Sequence, residues 1–289
     1  MTTGEGLERA LRAIPSLTLS DAFWYALMAG STYLFFHVTY CERLRHRRIS
    51  ERPVGHRQIP REILHSLRSM AIFGLMGGFV RFATLSGWTR MYQRFDDYGW
   101  TWFFVSLVLM ILIHDTYFYW THRLMHHRRL FKLFHRTHHL STSPTPWAAY
   151  AFSPLEALVQ AGVAPVIAFT VPVHASAFVL FMIWQISFNV LGHCGYEIYP
   201  QRFLKTSIGT LLNTPTHHTQ HHEKFLGNFS LYFNIWDRLM GTNHATYEER
   251  FERATQPPAP ATLPITLAIQ PERQPEGDQQ PVHPQAIAS

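Results

Sequence analysis

Imidazole side chains crowd three short stretches of this sequence. HRLMHH holds His122, His126 and His127, HRTHH holds His135, His138 and His139, and HHTQHH holds His217, His218, His221 and His222. Neutral imidazole is the commonest protein ligand for a transition metal, and histidines at this density are hard to account for in any other way. Any fold of the chain must therefore bring segments distant in sequence to one place. The first two clusters begin where an apolar run ends, which puts the metal at a membrane surface.

A helix needs about 20 mostly apolar residues to cross a hydrocarbon layer of roughly 30 Å. Segments 21–40, 69–84, 100–119, 157–171 and 175–191 qualify, giving four or five spans. Segments 69–84 and 157–171 are short and interrupted by Gly or Pro, so a re-entrant segment is the alternative for them. The composition agrees: 47% hydrophobic and 15% aromatic residues against 15% charged point away from an ordinary soluble protein. Residues 1–20 lack the cationic start and apolar core of a signal peptide, so the first apolar run is expected to stay in the mature protein.

Short loops rich in Lys and Arg remain cytoplasmic. Arg43, Arg45, Arg47, Arg48, Arg52, Arg57, Arg61 and Arg68 crowd the connection after the first span, and Arg123, Arg128, Arg129, Lys132 and Arg136 follow the third. A final hairpin of spans brings the last histidine cluster, with Arg202, Lys205 and Lys224, to the same side. The net charge of +6 is thus explained by topology and anionic lipid, and no nucleic-acid partner is expected. Cys41 and Cys194 are the only cysteines, which leaves no disulfide framework and no cysteine-built metal site. Beyond about Thr255 the chain turns rich in Pro, Gln and Ala, a composition that buries too little apolar area to order itself. The expected organisation is an N-terminal segment 1–20, a membrane-embedded catalytic domain 21–254 and a disordered tail 255–289. The fold class is all-α: a polytopic membrane protein whose cytoplasmic helical cap carries a histidine-rich di-metal site.

Helical residues three or four apart share a face, so His122 with His126, His135 with His138 and His139, and His218 with His221 and His222 can each converge on a point. His193 in HCGYE follows the last apolar run as a further ligand, with Glu197 one turn on as a less certain one. A tetrahedral ion takes four ligands and an octahedral ion six, so two metals is the economical reading. Ligand type alone leaves iron, zinc, copper and nickel open. His127 and His217 point about 100° away from better-placed neighbours and stand either as ligands or beside them. His114 precedes His122 by roughly two turns and suits support of a ligand better than direct binding. His37, His65 and His174 read as hydrogen-bonded or exposed residues, and His283 belongs to the tail. Asp115 and Asp237 are candidates to accept the second ring N–H of a ligand, although Asp237 equally suits pairing with Arg238 or capping local backbone.

The motifs HDTYFYWTHRLMHH, FHRTHH, PTPWAAYAFSPLE, LGHCGYE, and HTQHH with NFSLYFNIWDRLMGT resemble, in order and interval, the fatty acid hydroxylase and sterol desaturase superfamily of membrane di-iron oxidases. The resemblance runs from about 111 to 242, and TPTPWAAYAFSPLE with HTQHH looks most like the sterol C5-desaturase branch. It implies two iron ions, dioxygen as co-substrate, and removal of hydrogen from an unactivated C–H bond of a membrane lipid. Carried over by position, it makes His122, His126, His135, His138, His139, His193, His218, His221 and His222 the ligands. The family often has a further histidine near the fourth position, where Glu197 or His217 stands as the substitute. Hydroxylation and desaturation both remain open.

Such a reaction consumes external electrons, and the chain has neither a G-x-G-x-x-G fingerprint nor the four thiolates of an iron–sulfur cluster. An external donor, cytochrome b5-like or ferredoxin-like with a reductase, is therefore expected. The alternative function is membrane metal binding or transport, which ordinarily places its ligands within the spans and not beyond their ends. The expected location is the bacterial inner membrane or the endoplasmic reticulum, according to source, with the site on the cytoplasmic face.

Overall fold

The structure, a computed structural model, describes residues 2–257. The expected tail therefore lies, beyond Pro257, outside the described residues. The chain begins with three long helices, α1 (Thr3–Tyr33), α2 (Gln58–Leu85) and α3 (Gly99–Met125). The short α4 (Phe131–Phe134), the pair α5 (Pro154–Ala161) and α6 (Val163–Thr170), and the long α7 (Ala175–Gly192) follow. The described chain ends in α8 (Ser207–Leu211), α9 (Pro215–Lys224), α10 (Ile235–Leu239) and α11 (Tyr247–Thr255).

Thr2 and Glu5 start α1 with reciprocal bonds: Glu5 N donates to Thr2 Oγ1 at 3.3 Å and Thr2 N to Glu5 Oε2 at 2.9 Å. The helix then runs unbroken past residue 20, so the boundary expected there falls inside one continuous element. It packs along α2 at a place where α2 has no side chains. A Cβ at Gly78 would lie 2.6 Å from Ile14 Cγ1, and one at Gly74 only 1.9 Å from Thr18 Oγ1. Small residues four apart allow backbones to approach this closely, a device that membrane helices favour.

Three helices are long and apolar enough to cross a membrane: α2, α3 and α7. The other two expected segments differ from a single long apolar α-helix in separate ways. Segment 21–40 lies in α1 and a following π-type turn, Leu34–Thr39, and α1 opens with the charged Glu5, Glu8, Arg9 and Arg12. Segment 157–171 breaks at Gly162, where Tyr117 Oη donates to the Val159 carbonyl at 2.6 Å and a Cβ would lie 2.7 Å from Tyr117 Oη. The halves, α5 and α6, are each about 12 Å long at 1.5 Å per residue, and together they carry the chain from Glu156, bonded to His135 at one end, to Val173, which pairs with Met91 in the α2–α3 connection at the other.

Large apolar side chains on α1, α2 and α3 face outward, among them Phe23, Leu27, Leu75, Phe79, Val108 and Leu112. A surface of this kind suits hydrocarbon and not water. Inside, one cluster joins Tyr25, Met70, Tyr150, Ile186 and Val190, and a second joins Phe103, Met110, Val163, Ile167 and Phe181. Among the described residues the all-α expectation is modified by a two-residue parallel pair, β1 (Met91–Tyr92) with β2 (Val173–His174), and by two isolated bridges, Arg48 with Tyr196 and Leu212 with Phe233. The parallel pair ties the α2–α3 connection to the α6–α7 connection, and His174 Nε2 bonds the Gln93 carbonyl there at 2.9 Å.

The close α1–α2 approach predicts that Gly78→Val costs about 1–3 kcal/mol through overpacking, read as faster thermal inactivation in lipid. The order of crossings predicts sidedness. In a Cys41→Ser background, single cysteines at Gly55, Arg129 and Ser207 should react with an impermeant thiol reagent from one side of sealed vesicles, and a cysteine at Asp96 from the other. Labelling of Gly55→Cys and Arg129→Cys from opposite sides would refute this arrangement.

Candidate metal centre

The histidines converge at the C-terminal ends of α3 and α7. His122 leaves the last turn of α3 and His126 caps it. The chain then folds back through α4, so that His135, His138 and His139 return towards the same place. His193 caps α7. The remaining imidazoles come from α9, a helix started by Thr214 Oγ1, which accepts from His217 N, with Pro215 at its first position.

These residues form two groups. His122, His126, His135, His139 and His221 make one, and His138, His193, His218 and His222 the other, with the ligand atoms in each within 4.8 Å of one another. All nine histidines expected as principal ligands fall in the groups, and His138 joins the opposite group from its neighbours His135 and His139. In the first group His122 Nε2 lies 2.9 Å from His135 Nε2, and His126, His139 and His221 approach pairwise at 3.1 Å. In the second, His193 Nε2 lies 3.0 Å from His218 and 3.2 Å from His222.

Hydrogen bonds on the far side of the rings decide what these short approaches mean. His122 Nδ1 bonds the Phe229 carbonyl, His193 Nδ1 the Asn189 carbonyl and His221 Nδ1 the Gly227 carbonyl, each at 2.7 Å. A carbonyl only accepts, so the proton sits on Nδ1, and in a neutral ring Nε2 keeps its lone pair. His135 Nδ1 likewise donates to Glu156 Oε1 at 2.6 Å. Burial first, and the neighbouring imidazoles second, hold His135, His138, His139, His218, His221 and His222 well below the ordinary histidine range. Burial lowers His193 to about 4. Neutral rings with lone pairs aimed at a common centre repel unless a cation lies between them, so the donor set fits a metal ion in each group.

The other expected candidates stand outside both groups. His114 is buried on α3 and its Nδ1 bonds Tyr232 Oη at 2.8 Å. His127 is exposed on the turn after α3. His217 is buried with Nε2 3.3 Å from Asp237 Oδ2. Glu197 accepts from Thr216 N at 3.2 Å, Thr216 Oγ1 at 2.6 Å and Tyr199 N at 3.1 Å, and so clamps the start of the helix that carries the last cluster.

Asp115 and Asp237 do not serve the ligand rings directly; they hold backbone. Asp115 accepts from Tyr232 N at 2.8 Å and Phe233 N at 3.2 Å. Asp237 accepts from Phe229 N at 3.0 Å, Ser230 N at 2.8 Å and Thr242 Oγ1 at 2.6 Å. Burial alone would push the Asp237 carboxyl up, but its bonds with His217, Thr242 and the Ser230 amide hold it below the ordinary range. The segment fixed in this way offers the Phe229 carbonyl to His122. Glu156 was not expected at the site. Its only signal in the sequence was Ser153-Pro154-Leu155-Glu156, a helix start, and the carboxylate turns to His135 instead of back to the Ser153 amide.

An apolar cavity of about 250 Å³ lies between the long helices, beside this centre and not lined by the grouped histidines. Phe118 and Phe152 line it, and their rings lie 4.9 Å from His122 and 5.2 Å from His138. The arrangement thus joins paired cation sites to a dry space shaped for an apolar molecule.

A family model described as Fatty acid hydroxylase matches residues 107–242, which include every grouped histidine. The chain is 32% identical over 244 residues to the Delta(7)-sterol 5(6)-desaturase erg3C of Aspergillus fumigatus, covering 76% of this chain and 73% of that one. It is 31% identical over 232 residues to the Delta(7)-sterol 5(6)-desaturase ERG3B of Gibberella zeae, covering 79% and 67%. It is 31% identical over 191 residues to the lathosterol oxidase of Rattus norvegicus, covering 64% of this chain and 61% of that protein's length. No solved structure matches the chain.

Two groups of buried donors predict that His135→Ala and His222→Ala each lower bound metal per chain by about half while membrane insertion is kept. Glu156→Gln should weaken metal retention against a chelator by about 10–100-fold. Exposed His56→Ala serves as the control. Full metal content in both alanine variants would rule out a shared centre.

Proposed function

This chain belongs to the fatty acid hydroxylase family, on its sterol desaturase branch, and on that premise we propose that each histidine group holds one iron ion and that the pair oxidises a membrane lipid with dioxygen. The enzyme is an oxidoreductase acting on lipid, and the reading that fits its relatives best is abstraction of two hydrogens from a sterol ring. The observation that carries the proposal is the convergence of outward-anchored neutral imidazoles next to an apolar cavity, with Phe118 and Phe152 between the two. The irons would supply, when bound, the activation of dioxygen that an unactivated C–H bond requires.

The protein's own residues do the rest. Nine imidazole nitrogens hold charge without adding any, so the centre stays cationic towards an incoming oxidant. The Phe229, Asn189 and Gly227 carbonyls and Glu156 fix the rings by their Nδ1–H groups. Phe118 and Phe152 exclude water from the cavity end. The position of the lipid carbon then selects the product, since displacements near an ångström decide between competing bond-forming steps.

The electron balance calls for a partner. Reduction of dioxygen to water takes four electrons, removal of two hydrogens from the lipid supplies two, and two must come from outside. Hydroxylation, which leaves one oxygen in the lipid, needs the same two. A cytochrome b5-like or ferredoxin-like donor with its reductase fits this need. The exposed Arg128, Arg129, Lys132 and Arg136 beside the first group suit steering of an acidic carrier. The same charges favour the cytoplasmic face for the centre.

The test is reconstitution of iron-loaded protein in lipid with a Δ7-sterol, oxygen and NAD(P)H, with and without reductase and carrier. Sustained loss of two hydrogens from the sterol, seen by mass spectrometry only when both are present, is the expected result. Multiple turnovers without either protein would refute the external donor. Absence of any sterol product under all conditions would refute the substrate class.

A further inference from the structure

The four rings of the second group come from three separate stretches of chain: His138 lies in the turn after α4, His193 caps α7, and His218 and His222 lie on α9. The bonds to backbone carbonyls orient single rings. Holding the stretches to one another takes other contacts, above all for α9, whose residues 215–222 are buried although almost none is apolar.

α11 supplies such contacts from beyond the matched residues 107–242. It is amphipathic, with Tyr247, Phe251, Ala254 and Thr255 buried and Glu248, Glu249, Glu252 and Arg253 facing outward. Tyr247 Oη donates to Thr214 Oγ1 at 3.2 Å, and Gln220 Nε2 donates to Thr246 Oγ1, just before α11, at 2.8 Å, so the start and the middle of α9 are both held.

Arg250 reaches further. One arm of its guanidinium bonds the carboxylate of Glu223, the neighbour of His222, and the other donates to the Ile49 carbonyl at 3.2 Å. Ile49 N in turn donates at 3.0 Å to the carbonyl of Gly195, which follows His193 and Cys194. One side chain therefore joins the end of α9 to the stretch that carries His193. Side-chain exposures of 20% for Arg250 and 9% for Glu223 set this pair apart from Arg253 with Glu249, at 69% and 68%. Exposed pairs contribute little, whereas a forked donor in a half-buried setting fixes geometry as well as charge.

We propose that Arg250 is a positioning residue for the second histidine group, setting the separation of His193 from His218 and His222. The inference rests on the reading above that each group holds a metal ion, and it adds a residue of α11 to what the centre requires. Metal–nitrogen bonds tolerate departures of only about 0.2 Å, so slack between α9 and the end of α7 is enough to open the group. The first group depends less on this tie. Four of its five rings come from residues 122–139, and its one ring from α9, His221, is anchored to the nearby Gly227 carbonyl.

The experiment uses full-length protein in nanodiscs loaded with cobalt(II), whose absorption reports its ligands, and follows metal release to a chelator. His135→Ala isolates the second group and His222→Ala the first. Arg250→Ala should speed release about tenfold in the His135→Ala chain, at the low end of what residues supporting metal ligands contribute, and should alter its cobalt spectrum. In the His222→Ala chain both release and spectrum should stay nearly unchanged. Arg250→Lys keeps the charge but not the fork and should restore part of the retention. If Arg250→Ala fails to insert in the membrane, Arg250→Lys and Glu223→Gln are compared in the same two backgrounds. Unchanged release in the His135→Ala chain, or equal acceleration in both chains, overturns the proposal while leaving two metals per wild-type chain intact. Wild-type protein that binds no more than one metal overturns both readings.

Discussion

The mutual repulsion of buried Nε2 lone pairs is the constraint on which the rest of the structure depends. Nine neutral rings in two groups bring nitrogen atoms to about 3 Å of one another with no water between. Protonation would relieve an isolated contact, but burial in a low-dielectric interior disfavours the charged ring, and each further charge would face its neighbours. A cation in each group turns the repulsion into coordination. α9, which carries His218, His221 and His222, has almost no apolar face of its own, so metal binding and local folding are expected to be coupled in this part of the chain.

Holding the rings falls to two kinds of support. The long helices supply position: α3 and α7 end at the level of the centre, so His122 and His193 arrive on rigid elements. Orientation comes from backbone carbonyls in the loops. The Phe229 carbonyl reaches His122 because Asp115 and Asp237 hold the surrounding amides, and α9 stays in register because Glu197 clamps Thr216. Acidic residues thus act mainly by fixing peptide groups. Among the acidic residues Glu156 alone touches a grouped ring, and it places a carboxyl group where His122, His193 and His221 have a carbonyl.

The grouped histidines were legible because the spacing that chelation requires is written in the sequence. His122 with His126 and His218 with His222 sit four apart, and the apolar run before each of the first clusters announced where they would meet. The split of HRTHH between two groups was not legible. It depends on the chain leaving helical geometry after Phe134, where spacing arguments built on one helix face no longer apply. The carbonyl acceptors left no trace, since every residue has a carbonyl. Hydropathy alone did not show that 157–171 is two helices: the run is apolar throughout, but the chain turns at Gly162, against Tyr117, before continuing as α6. His114 looked like a ligand's support because it lies two turns from His122. Those two turns, about 12 Å, carry it along the wall of the cavity and away from the centre.

Oxidation of a lipid C–H bond with the proposed water-borne electron donor would impose opposite demands on one site, and the ends of the long apolar helices suit both. The cavity side is apolar and bounded by Phe118 and Phe152. The opposite side carries exposed Arg128, Arg129 and Lys132 on the turn between the first two histidine clusters. A centre deeper in the spans would be out of reach of a soluble carrier, and one farther out would lose the dry cavity. The all-imidazole donor set follows from the same position. Carboxylate ligands would bring charge that must be desolvated beside hydrocarbon, whereas neutral rings bind the cation and pack against aromatic neighbours.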